Sequence, residues 1–347
     1  MGPTRTERKR EWGDGMVSPV LVEATRGGAV ESRHRGAFAV VDAAGDVIAS
    51  AGAIDAPVYP RSAIKLIQAL PVVESGAADA LRWGNRDLAL CCSSHSSEPA
   101  HVEGVRAMLA GAGLDETALE CGAHWPLFTK PPLIDLARAR GEPSALHNNC
   151  SGKHAGFLAL ARHEGWEASG YINAAHPVQR AVRDALMDVT GAAPAAEGTD
   201  GCGVPTWSVP LRALAHGFAR LATGEGLGNA RAAAAKRLVA AMVAEPWFVA
   251  GTKRHDTQVM EAAPHAVTLK TGAEGVYCAA LPAKGIGVAL KIEDGATRAA
   301  EVAVAALLAL LLDEPHAEAI GAFATRTVRN WTGTETGAIR PTDALAI

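Results

Sequence analysis

The chain has 347 residues, 48% of them hydrophobic and 20% charged, with a formal net charge of −4. That is enough chain to bury a sizeable core, and the charge balance argues against nucleic acid or an anionic membrane as a partner. Six cysteines in a chain of this length make no disulfide framework, so they read as reduced thiols or metal ligands. Residues 1–15 are charged and lack an apolar stretch. They predict a disordered tail rather than a signal peptide, hence a cytoplasmic protein, with one domain over 16–347. Strands are expected at 16–25, 37–42 and 47–51, divided by glycine-bearing turns. A helix is expected over 63–74, kinked or ended by Pro71. The apolar run 87–92 reads as a buried strand, followed by a helix over 98–111. Residues 126–143 predict loop and a short helix. Further helices are expected at 152–164, 177–190, 209–222, 229–244 and 297–312. Strands at 266–269, 276–281 and 286–292 predict an antiparallel meander. Helices bracketed by strands at both ends give an α+β, or mixed α/β, layered fold. The run 299–312 is too short for a membrane span.

Chemistry concentrates at four places. Ser62 and Lys65 stand three residues apart at a helix start, on one face and near the positive end of the helix dipole. A hydroxyl is inert at neutral pH unless a base takes its proton, and a desolvated lysine can be that base. The same spacing carries acyl transfer in penicillin-binding proteins and β-lactamases, although it also arises as a capping serine followed by a solvated lysine. Ser94 lies in a run of small hydroxyls, Ser93-Ser94-His95-Ser96-Ser97. Lys270-Thr271-Gly272 ends an apolar run, where its lysine would set positive charge beside a nucleophile.

The fourth place is Asn148-Asn149-Cys150-Ser151-Gly152-Lys153-His154, with Cys202 in a glycine-rich loop further on. No Cys-x-x-Cys or His-x-x-x-His pair exists, so the usual zinc spacings are absent. Two distant cysteines with His154 and Asp200 remain a candidate zinc set, against two buried thiols and a turn. A lysine ligand would have to be deprotonated, which burial and the metal's charge both favour.

Together these segments resemble one family. Arg26-Gly27-Gly28-Ala29-Val30-Glu31-Ser32-Arg33-His34-Arg35, Arg61-Ser62-Ala63-Ile64-Lys65, Ser94-His95-Ser96-Ser97-Glu98, Asn149-Cys150-Ser151-Gly152-Lys153-His154-Ala155-Gly156, Gly198-Thr199-Asp200-Gly201-Cys202 and Lys291-Ile292-Glu293-Asp294-Gly295 occur in the order seen in the asparaginase II family of Rhizobium type, the class 3 L-asparaginases. The resemblance implies a fold like that of serine β-lactamases and penicillin-binding proteins. It implies hydrolysis of L-asparagine to L-aspartate and ammonia by one asparaginase domain, usually as a homodimer. By motif, Ser62 would be the nucleophile and Lys65 its base, with Ser94 and Lys270 as a second pair. Cys150, Lys153 and Cys202 would bind a zinc ion, Zn2+, that assists substrate binding.

The residues themselves agree with amide hydrolysis, which needs a nucleophile, a proton donor for the leaving nitrogen and donors for the oxyanion. A substrate carrying an α-carboxylate and an α-ammonium also needs opposed charges, for which Arg61, His154 and Asp200 are candidates. Two other readings compete. A β-lactamase-like or D,D-peptidase-like acyl hydrolase rests on Ser62, Lys65 and Lys270-Thr271-Gly272 alone, and the Ser-Asp-Asn motif of that group is missing. A non-catalytic zinc or thiol sensor rests on Cys150 and Cys202. Asparagine and glutamine differ by one methylene, worth about 1–3 kcal/mol in a pocket, so the sequence does not separate them.

Overall fold

The computed structural model describes residues 18–128 and 130–346. The expected tail over 1–15 lies outside the described residues. Among the described residues, eleven strands form two sheets. They are β1 (Val20–Arg26), β2 (Ala29–Asp42), β3 (Val47–Ala51), β4 (Pro57–Val58), β5 (Ala196–Thr199), β6 (Pro205–Pro210), β7 (Thr268–Thr271), β8 (Val276–Leu281), β9 (Ile286–Ile292), β10 (Arg326–Arg329) and β11 (Glu335–Pro341). The large sheet runs β10-β11-β1-β2-β9-β8-β7, with β3 also paired to β2, and the small sheet runs β4-β6-β5. Every pairing is antiparallel. The mixed α/β layering expected from the order of elements is the one the chain adopts.

The sequence explains the centre of the large sheet. The first half of β2 alternates exposed and partly buried residues, whereas Ala37–Val41 are buried without a break. Continuous burial requires cover on both faces. Helix Leu211–Thr223 packs on β2, β8 and β9, and helix Thr297–Leu311 packs on β1, β8, β9 and β11. The first of these helices comes very close. A Cβ at Gly287 of β9 would stand 1.9 Å from the Ala215 carbonyl oxygen and 2.4 Å from the Ala219 nitrogen, so only glycine fits there. The tight β1–β2 connection uses Gly27 and Gly28, with φ of 54° and 87°.

A helical layer lies beside the sheet. At its heart is helix Lys65–Glu74, buried from Lys65 to Val72 and packed on helices Ser151–His163, Pro177–Thr190 and Asn229–Ala244. This helix runs through Pro71 instead of ending there as expected. The fold loses one backbone hydrogen bond at that point, and packing on three helices outweighs it.

The apolar run 87–92 is not a strand. It forms helix Asn85–Cys91, opened by Gly84, whose N–H donates to Asp87 Oδ2 at 3.0 Å. Leu88–Cys92 are buried in succession and show no period, so their hydrophobicity fits either element, and the cap decides. Among the described residues, no helix is long and apolar enough to cross a membrane.

Candidate active site

A 3-10 turn, Arg61–Ile64, carries Ser62 into helix Lys65–Glu74. Ser62 is part-exposed and forms part of the wall of a cavity of about 710 Å³. Lys65, one turn further on, is wholly buried. Its ammonium donates to the Ser93 carbonyl, to Ser94 Oγ at 3.0 Å and to Cys150 Sγ at 3.2 Å. Three acceptors match the three hydrogens of a lysinium. Among the described residues, Lys65 makes no hydrogen bond to Ser62, so the expected direct Ser62–Lys65 pair is not formed.

Ser94 follows the end of helix Asn85–Cys91 and is pinned there by backbone bonds. Its N–H donates to the Val249 carbonyl at 2.9 Å, and the next N–H, of His95, donates to the Asn149 carbonyl at 3.1 Å. Ser94 Oγ also lies 3.0 Å from Lys270 Nζ. Lys270 is fully buried on β7 opposite Cys278, and its amine donates to the Thr271 carbonyl at 2.8 Å. Burial, the Asp256 carboxylate acting against it, and the positive charges of Lys65 and Arg254 together bring Lys270 down to about 7. The glycine of Lys270-Thr271-Gly272 has a steric reason. A Cβ on Gly272 would stand 2.6 Å from the Pro60 carbonyl oxygen and 3.1 Å from Ala63 N. The end of β7 therefore presses against the turn that presents Ser62.

The thiol cluster adjoins this centre. Helix Ser151–His163 starts at Cys150, whose N–H donates to Asn148 Oδ1 at 2.9 Å. Lys153, also buried, donates to Cys202 Sγ at 3.1 Å. A hydrogen bond from Cys150 is the largest influence on Cys202. With the charge of Lys153, it overcomes burial and brings the Cys202 thiol down to about 5. The same bond, with burial, pushes Cys150 up to about 12. Burial opposes the charge on Lys153, but Cys202, Cys150 and Asp200 outweigh it and hold the ammonium above its ordinary range. Asp200 pairs with Arg61 at 2.7 Å. Burial would raise its carboxyl, yet Lys153 and Arg61 hold it below the usual carboxylate range.

Two sulfurs and an amine converge here, and that soft donor set suits zinc. Among the described residues, no three of His, Cys, Asp and Glu come together as a ligand set. A zinc ion at this place therefore depends on Lys153 as third donor, with its proton given up to make room for the metal.

His154 does not belong with the substrate-facing residues proposed from sequence. It is fully buried, its Nδ1 is 2.7 Å from Tyr171 Oη, and it takes no part in the cavity wall. Helical periodicity places it on the inner face of its helix. Arg61 and Asp200 do line the cavity. Sequence reasoning missed two residues. Arg254 donates to the Ser94 carbonyl at 3.0 Å and stacks over the Phe128 ring at 3.7 Å. Asp256 accepts from Thr271 N at 3.0 Å and lies 3.8 Å from Lys270 Nζ. The cluster Lys253-Arg254-His255-Asp256 was the available signal.

The chain is similar in parts to crystal structures of Mglu. One matches at 17% identity with a TM-score of 0.35, over 84% of this chain and 65% of that chain. The form with tris and glutamate matches at 16% identity with a TM-score of 0.36, over 89% and 62%. The chain thus spans less than two thirds of the length of either. No curated protein matches it. The family model for L-asparaginase II matches residues 22–341, a span that holds the serines, lysines and cysteines described above. The chain belongs to the L-asparaginase II family.

Proposed function

We propose that the protein hydrolyses L-asparagine to L-aspartate and ammonia, with Ser62 as nucleophile. Membership of the family supports an amidohydrolase. The observation that carries the chemistry is the Ser94 hydroxyl held between two buried lysines, 3.0 Å from each. Lys65 has its three hydrogens committed to three acceptors and serves as a fixed cation. Lys270, neutral above about pH 7, offers its lone pair to the Ser94 hydroxyl. Ser94 then takes the proton of Ser62 as Ser62 Oγ adds to the amide carbon, and passes its own to Lys270. On collapse of the tetrahedral adduct the proton returns by the same route to the departing nitrogen, and water releases the acyl group by the reverse sequence.

Arg61 and Asp200 offer opposed charges to the α-carboxylate and α-ammonium. Cys150, Lys153 and Cys202 would hold a zinc ion, which would supply positive charge for substrate binding when present. Ammonia release from L-asparagine by the purified protein tests the reading. Turnover by wild type, lost in Ser62→Ala, supports it. Full turnover in Ser62→Ala with loss in Ser94→Ala would make Ser94 the nucleophile instead.

A further inference from the structure

We infer that Asp256 is a positioning residue for Lys270, holding its amine against Ser94 and stabilising the positive charge the amine gains on taking a proton from that hydroxyl. The inference deepens the proposed reaction and rests on it.

Asp256 stands in helix His255–Ala262 and is 1% exposed. Its Oδ2 accepts from Thr271 N at 3.0 Å and faces Lys270 Nζ at 3.8 Å. Its Oδ1 is buried and has no hydrogen-bond partner among the described residues. A buried carboxylate with an empty acceptor is costly unless a cation compensates it. The surroundings of Lys270 supply the rest of the argument. Lys65 and Arg254 face it with positive charge, and Cys92 and Cys278 are thiols pushed up by burial. Among the groups that act on Lys270, Asp256 is the carboxylate.

The proton count fits this placement. A neutral lysine amine has two hydrogens and a lone pair. Lys270 donates to the Thr271 carbonyl and meets Ser94. When the Ser94 O–H bond breaks and the new N–H bond forms, the amine becomes an ammonium between two other cations. The Asp256 carboxylate opposes that charge and has an acceptor unfilled. Its bond to Thr271 N fixes the end of the same strand, so charge and position are set by one side chain. When the proton returns through Ser94 to the leaving nitrogen, Lys270 is neutral again and the cycle closes.

The test has two arms. The first is kcat against pH for Asp256→Asn and Asp256→Glu. Asparagine keeps an acceptor for Thr271 N but loses the charge. The acid limb of kcat should move down by about one pH unit, and the plateau should fall roughly tenfold with KM little changed. Glutamate, which keeps the charge, should leave the limb in place. A folded Asp256→Asn protein with an unmoved limb overturns the inference.

The second arm needs no substrate and decides the matter if Asp256→Asn does not fold or the protein proves inactive on L-asparagine. Urea unfolding is compared for Lys270→Met and for Lys270→Met with Asp256→Asn. Methionine strands the carboxylate without its cation, so the double variant should be the more stable of the two. A double variant that is equally or less stable overturns the inference, because Asp256 would then serve the backbone alone.

Discussion

Lys65 and Lys270 converge on one atom: each side-chain nitrogen lies 3.0 Å from Ser94 Oγ. The two are not equivalent. Lys65 has three acceptors for three hydrogens, whereas Lys270 has one carbonyl, the hydroxyl and a more distant carboxylate. In the proposed path this asymmetry makes Lys270, once neutral, the one of the two that can accept the hydroxyl proton.

Ser62→Ala and Ser94→Ala should each cut kcat by on the order of 10³ or more, and the double variant should lose little beyond either. The residues act as one unit, so their effects do not add. Steady-state ammonia release at matched protein concentration checks this. Additive losses would mean that the serines act in separate steps.

The pH dependence follows from Lys270, whose affinity for protons is lowered to about 7. The amine works as acceptor only when neutral, so kcat should rise as pH passes upward through about 7 and level off above it. Below that pH the lone pair is filled and turnover falls. A kcat profile at saturating substrate, flat from about pH 6 to pH 9, would remove Lys270 from the proton path.

Cys150, Lys153 and Cys202 predict about one zinc per chain by metal analysis, lost in Cys202→Ala. If the ion assists substrate binding, its loss should raise KM more than it lowers kcat. Stoichiometric zinc retained by Cys202→Ala would show that these are not its ligands.

Acid should weaken the fold through buried histidines. Burial brings His101 down to about 4, and burial with nearby positive groups holds His95 well below its ordinary value. The unfolded chain has ordinary histidines of about 6.5. Between about 6.5 and 4 it therefore binds more protons than the folded state, and stability falls as pH drops through that window. The cost for His101 alone is on the order of 2 kcal/mol by pH 5. Urea midpoints at pH 7 and pH 5 test it, and His101→Phe should reduce the difference.

Gly287→Ala should destabilise the protein by about 3 kcal/mol or more, because the new methyl would overlap the backbone of helix Leu211–Thr223. Thermal unfolding of the variant checks this close approach without reference to activity.

The site was more legible than the fold around it. Ser62, Lys65 and Lys270 could be picked out from motif spacings that acyl-transfer chemistry uses, whereas Ser94 was singled out through the family resemblance. Strands β8 and β9 and helices Pro177–Thr190 and Asn229–Ala244 lie where they were expected, since each is bounded by a glycine or proline. Residues 87–92 misled because Leu88–Cys92 are buried in succession and show no polar face to reveal their period. The β10–β11 hairpin escaped notice for a different reason. It is short and largely exposed, and it is held by pairing with β1 at the far end of the chain, a long-range contact that no local pattern announces. Asp256 was hidden because its role comes from facing a lysine on another element.

Ammonia release from L-asparagine at pH 8, measured for the wild-type protein and for Ser94→Ala side by side, tests the central claim most directly. The account predicts turnover by the wild type and a loss on the order of 10³ or more in a folded Ser94→Ala variant. Equal turnover by the two proteins would contradict a proton path through the hydroxyl that Lys65 and Lys270 share.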